Sequence, residues 1–200
     1  MFAYIKGSLE EKGSNFVVID VTGIGYKIFM SETAIEKLGE LGSTVKVYTH
    51  YHVREDEISL YGFNTNEELK MFELLLSVSG IGAKSAISML SNITPSAFAL
   101  AVISNDVAKL TKIPGIGSKT AQRMILELKD KLKTVQTVKE SKDEKLQEAI
   151  SDDNKYYEAI AALQVLGYTR RDIDQALEKI DKESLSVEDM IRKSLAILAR

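Results

Sequence analysis

The sequence predicts an α+β chain of several domains, with a small β-rich domain first and only helices after it. Two observations predict this. The first sixty residues hold short runs of β-branched and aromatic residues divided by glycines and charged clusters, and from about Thr65 the apolar period turns helical and stays so. Two hundred residues leave room for one large domain or two to three small ones. A composition 44% hydrophobic and 28% charged is that of a folded soluble chain.

Five runs read as strands: Ala3–Leu9, Asn15–Val21, Gly25–Phe29, Thr44–His52 and Ile58–Phe63, several of them alternating in polarity. Ser31–Leu38 reads as a short helix with Ser31 as its N-cap. Five strands with one helix between the third and fourth suit a Greek-key barrel of the OB type, expected over residues 1–64.

Beyond it, Asn66–Leu76 begins with a cap residue and acidic residues, which favour a helix start. Thr94-Pro95 pairs an N-cap with proline at the first helical position, and Ser104-Asn-Asp106 opens another short helix. Ser118–Lys131 places Ala121, Met124, Ile125 and Leu128 on one face. These helices define a second domain, 65–133. Residues 134–155 are polar with no fixed period and read as a flexible linker. Three helical segments follow within 156–200: Tyr156–Leu166, Arg170–Ile180 and Ser186–Leu198. Gly167 sits where the first should stop, and Ser186-Val-Glu-Asp189 resembles a capping box. Forty-five residues in three helices are marginal alone, so this is expected to be a docking module.

Composition excludes several chemistries. Cysteine is absent, which removes disulfides, thiolate nucleophiles and thiolate metal sites. His50 and His52 are the only imidazoles, a poor provision for zinc, so neither metal nor cofactor is expected. No run approaches the roughly 18 apolar residues of a membrane span. The start, Met1-Phe-Ala-Tyr-Ile-Lys-Gly7, lacks the pattern of a signal peptide, so a cytoplasmic protein without membrane partners is expected. The net charge of −3 hides an uneven distribution: residues 65–134 carry +3, the only net-positive block.

One internal repeat carries the functional reading. Leu75–Ala86 aligns without gaps on Leu110–Ala121, with Gly80-Ile-Gly82 over Gly115-Ile-Gly117, Lys84 over Lys119, and Met89 over Met124 beyond. In each copy an apolar helix end precedes the turn and a helix follows it, the pattern of the helix-hairpin-helix, a DNA-backbone-binding motif. Glycine admits positive φ and close approach of a phosphate. Amides opening the following helix form an anion site. Ile81 and Ile116 can plug the gap between paired helices. Lys84 and Lys119, in a first helical turn, oppose the helix dipole, which an anionic ligand would compensate. Such contacts touch no base edge, so binding should be independent of sequence. A P-loop needs glycine immediately before Lys-Ser/Thr, where Ala83 and Ser118 stand; a dinucleotide fingerprint needs a third glycine where Ser85 and Thr120 stand. The competing structural reading makes each turn a tight helix connection; two copies with lysine at one offset in the only basic block favour phosphate.

With Phe2–Gly7, Val21–Tyr26, Val53–Phe63 and both Gly-Ile-Gly turns, the whole chain resembles the RuvA family of Holliday-junction-binding subunits. The resemblance implies a homotetramer, alone or as two facing tetramers, holding an open four-way DNA junction. It also implies a RuvB-type hexameric ATPase as partner and a junction resolvase in the same complex. It implies no catalysis by this chain, the ATPase lying in the partner. Residues matching the DNA-backbone-binding set are Gly80, Gly82, Lys84, Gly115, Gly117 and Lys119. Arg123, one turn beyond Lys119, shares its face. Glu55 and Asp56 match the family's acidic pin at the junction centre, with Glu57 a third carboxylate; the bottom-up alternative is a solvated hairpin tip. The C-terminal module matches the motor-contacting part, where Leu163, Leu166, Tyr168, Ile191, Leu195 and Leu198 are the apolar positions of interest, most of them expected in the module's own core. The competing functions are a helix-hairpin-helix glycosylase or nuclease, for which the helical core offers only Phe72 and Phe98 as stackers, and an assembly adaptor whose barrel binds protein.

Overall fold

The computed structural model describes residues 2–55, 57–137, 153–180 and 185–198, which form two compact units: 1–77 with 81–92, and 78–80 with 93–200. Five strands build the first unit: β1 (Tyr4–Lys12), β2 (Phe16–Val21), β3 (Ile24–Phe29), β4 (Thr44–Val53) and β5 (Ile58–Phe63). They close in the order β1-β2-β3-β5-β4, antiparallel except for the β3–β5 seam at Phe29 and Tyr61. Closure removes the sheet edges that would template aggregation. Alternation sets the register: Val45, Val47 and Thr49 point inward while Lys46 stays exposed, opposite Lys6. Leu9, Val17, Ile19, Ile28 and Val47 have no exposed surface; each such burial stabilises by about 1.5–3 kcal/mol. Gly62 is glycine because a Cβ would stand 2.5 Å from Ile28 Cγ2 and 2.6 Å from Val47 Cγ1.

The short helix α1 (Glu32–Glu36) lies between β3 and β4, and the Ser31 hydroxyl accepts the Ala34 N–H as expected of its cap. Two further helices belong to this unit: α2 (Asn66–Leu76) and α3 (Ala83–Asn92). Thr65 and Glu68 cap α2 reciprocally. Phe72 of α2 is fully buried among Tyr61, Phe63 and His50, with ring centroids 4.8–5.3 Å away, which fastens α2 to the outside of the barrel.

The second unit holds α4 (Pro95–Ile103), α5 (Val107–Thr111), α6 (Ser118–Thr137), α7 (Asp153–Val165), α8 (Arg170–Leu177) and α9 (Val187–Leu198). Thr94 caps α4, with Pro95 at its first turn. Ala97, Phe98, Ala99, Ala101 and Val102 are all buried, so α4 has no polar face; a helix apolar all round must be covered on every side. It packs against α5 and α6, and also against α7 and α9. Lys129 of α6 holds the far end of α4, its Nζ donating to Ile103 O at 2.8 Å and Asn105 Oδ1 at 2.9 Å. Gly167 ends α7 at φ +81°: its N–H reaches Gln164 O and the Tyr168 N–H reaches Leu163 O.

Helix ends differ from the sequence expectation. α6 continues past Lys131 to Thr137, and α7 begins at Asp153 ahead of Tyr156. Helix propagation costs little once a packed helix exists, so polar residues extend it. α8 stops at Leu177, three residues short of Ile180. The middle of the expected linker, 138–152, lies outside the described residues. No single described helix is long and apolar enough to cross a membrane.

Candidate nucleic-acid interface

The two glycine turns are built alike. In the first, α2 ends at Ser77, Val78 is buried, Gly80 takes φ +85°, Ile81 is buried and α3 follows Gly82. In the second, α5 ends at Lys112, Ile113 is buried, Gly115 takes φ +82°, Ile116 is buried and α6 follows Gly117. Both isoleucines are the plugs expected from the repeat. Met89 and Met124 are fully buried at matching places. The first glycine of each pair reverses the chain, because a left-handed φ strains any residue with a Cβ.

The second glycine does something else. Gly82 O accepts from Ala86 N–H at 3.0 Å, and Gly117 O accepts from Ala121 N–H at 2.9 Å, so each glycine is its helix's N-cap. Side-chain oxygens of Ser31, Thr65, Thr94, Asp106, Thr169 and Ser186 accept leading N–H groups in α1, α2, α4, α5, α8 and α9. A glycine has no such oxygen. The first amides of α3 and α6 thus keep their hydrogen-bonding capacity for an outside acceptor, at the positive end of the dipole. Around Gly117 a Cβ would meet nothing within 4 Å. Its small size answers no need of internal packing.

Lys84 and Lys119 are exposed, each the second residue of its helix. Arg123, one turn beyond Lys119, is also exposed; its Nη1 donates to Ser79 O at 3.5 Å and lies 3.6 Å from where a Gly80 Cβ would stand. Glu127, a further turn along, accepts the Ser79 N–H at 3.0 Å. Both backbone polar groups of Ser79 are thereby tied to α6, which fixes the entry to the first turn. Sequence periodicity placed Arg123 and Lys119 on one face; the tie to Ser79 needs a contact between residues 44 apart and had no local signal.

Glu55 is exposed at the tip joining β4 and β5, which Arg54 N–H and Glu57 O close at 2.8 Å. Asp56 lies outside the described residues. Glu57 accepts from the Ser59 hydroxyl. Behind the tip, burial above all, then the charge of Arg54 and of His50, hold the His52 pKa below the usual histidine value. Burial and the Glu57 carboxylate raise that of Tyr61.

The apolar positions of the C-terminal module are interior. Leu163, Leu166, Tyr168, Ile191 and Leu195 are each no more than 8% exposed, and Leu198 is half-buried. They form the packing of α7–α9 rather than an open apolar patch. Phe72 and Phe98, the aromatics an extruded base would need, are both buried side chains of helix packing.

Comparison with known proteins matches three family models: the RuvA N terminal domain over residues 1–62, the SAM-like helix-hairpin-helix tandem over 72–130, and the RuvA C-terminal domain over 154–199. Curated relatives named Holliday junction branch migration complex subunit RuvA match along their whole length. That of Acetivibrio thermocellus is 50% identical over 201 residues, with both chains fully covered. That of Ruminiclostridium cellulolyticum is 48% identical, covering 99% of this chain and all of the relative; one from Clostridium botulinum is 42% identical over the full length of both.

Proposed function

Because this chain belongs to the RuvA family, we propose that it binds four-way DNA junctions through their sugar-phosphate backbone and serves branch migration, in recombination and repair, as the DNA-holding subunit. One observation carries the chemistry. The only two described helix starts capped by glycine are those of the repeated turn, each followed by an exposed lysine. Gly80 and Gly115 turn the chain, while Gly82 and Gly117 leave amides and space for a phosphate. Lys84, Lys119 and Arg123 supply the cations. No base edge is read, so affinity follows junction shape and salt rather than sequence.

Four copies around one junction supply a pair of turns to each arm. Glu55 and Asp56 then gather near the crossover, where like charge pushes phosphates apart and keeps the centre open. The C-terminal module contacts a RuvB-type hexameric ATPase, which performs the ATP chemistry, and Leu163, Leu166, Tyr168, Ile191 and Leu195 hold the shape of that contact. A facing second tetramer and a junction resolvase complete the assembly.

Gel-shift titration of a four-way junction against linear duplex of equal length tests this. Tighter binding of the junction is expected, in a complex whose mass corresponds to four or eight copies. Equal affinity for the two DNAs would remove junction recognition from the proposal.

A further inference from the structure

Besides the tie of Ser79 to α6, the first glycine turn carries a neighbour from the barrel that neither the repeat nor the family resemblance explains. Arg54, from the base of the β4–β5 tip, extends its guanidinium toward that turn: Nη2 lies 3.9 Å from where a Gly82 Cβ would stand. Nothing occupies the corresponding space at Gly117. The guanidinium is also held. Its Nε donates to His52 Nε2 at 3.0 Å, which directs the Nη end toward Gly82, and the side chain is exposed there.

We propose that Arg54 is a phosphate-binding residue of the first hairpin, placed by the barrel beside Gly82 and positioned by His52. This rests on the backbone-binding reading above and adds to it a ligand from outside the repeat. A phosphate seated at the leading amides of α3 lies on the open side of Gly82, where the guanidinium can add two parallel N–H donors. The His52 ring fixes the plane of that fork, so less freedom is lost on binding. The two hairpins are consequently unequal: a guanidinium from the barrel adds to the amides and Lys84 of the first, and none stands beside Gly117 in the second. Arg54 also directly precedes Glu55. One residue attracts the backbone and the next repels it, which sets where along an arm the strands begin to part.

The competing account makes Arg54 a local counter-charge to Glu55 and Glu57. Salt-titrated junction binding by Arg54→Gln in the full chain, in the native and in the Glu55→Gln/Glu57→Gln background, separates the two. In both backgrounds phosphate binding predicts several-fold weaker binding and a log–log salt slope shallower by about one per subunit engaged. An effect that disappears with the carboxylates removed, or an unchanged slope, overturns the proposal. Lys119→Ala is the control: if it weakens binding while Arg54→Gln does not, only this inference fails, whereas absence of junction binding by the native chain defeats the underlying reading. His52→Phe, which keeps a ring and removes the acceptor, should reproduce part of the Arg54→Gln loss, and adding it to Arg54→Gln should cost nothing more. Additive losses would assign His52 a separate role and remove it as the positioning residue.

Discussion

Gly115 and Gly117 are glycine for different reasons, and substitution separates them. Gly115 has φ +82°, so Gly115→Ala should lower stability by roughly 1–2 kcal/mol, read as a shifted denaturation midpoint. A side chain at Gly117 meets nothing within 4 Å, and serine there can cap α6. Gly117→Ser should therefore leave stability within a few tenths of a kcal/mol of native or raise it, yet weaken junction binding several-fold by filling the phosphate space. Native affinity in a well-folded Gly117→Ser would mean that no phosphate approaches this amide. His52 supplies a pH test. Its pKa is held below the ordinary histidine value of about 6.5 mainly by burial, then by Arg54 and His50, against an opposing pull from Glu57. As the pH falls through 6.5 the unfolded chain takes up the proton first, so stability present above 6.5 is lost on acidification toward the lower folded value. Denaturant midpoints should decline between pH 7 and 5, and His52→Gln should flatten part of that decline. An identical profile would mean the proton is taken up elsewhere.

Elements were readable where local chemistry decides them. Strands declared themselves through β-branched alternation, and Ser31 and Thr94 each cap the helix that their position suggested. By contrast, α2 is capped by Thr65, one residue ahead of the expected Asn66, because the Thr65 hydroxyl and the Glu68 side chain close a reciprocal box there. Ends set by packing were not readable: the reach of α6 to Thr137 depends on a helix already anchored by Met124, Ile125 and Leu128. The cap of α2 is a testable joint, since α2 leads into the first turn. Thr65→Ala removes the acceptor for Glu68 N–H and should cost about 1 kcal/mol in a thermal melt. Junction affinity at a temperature well below the melt should change little, because Thr65 lies a full helix away from Gly80. A large affinity loss would place the cap in the interface itself.

At the scale of the molecule, α4 is the element whose role the sequence concealed. Its run of Ala, Phe, Leu and Val reads as a buried helix but does not say what buries it. The structure packs α7 and α9 on it as well as α5 and α6. The C-terminal helices thus act as a cover for α4. A chain ending at Thr137 leaves the surface of α4 that α7 and α9 cover in water, and its thermal midpoint should fall by several degrees, since 1 kcal/mol is worth about 2–4 °C at this size. An unchanged midpoint would mean that the module contributes no packing to α4.

The sequence by itself determined the barrel's five strands, the twin turns with their buried isoleucines and exposed lysines, and the caps at Ser31, Thr94 and Ser186, because each depends on residues within one turn or one strand of each other. It also carried the family, through motifs spread along the whole chain. Only the tertiary structure decided which side chains come to the turns from far away. Arg54 reaches Gly82, and Arg123 with Glu127 fixes Ser79, across separations of tens of residues that no local period encodes. Burial of the module's apolar positions was decided there too. A hydrophobic face states that it must be covered, and only the packed chain states by what.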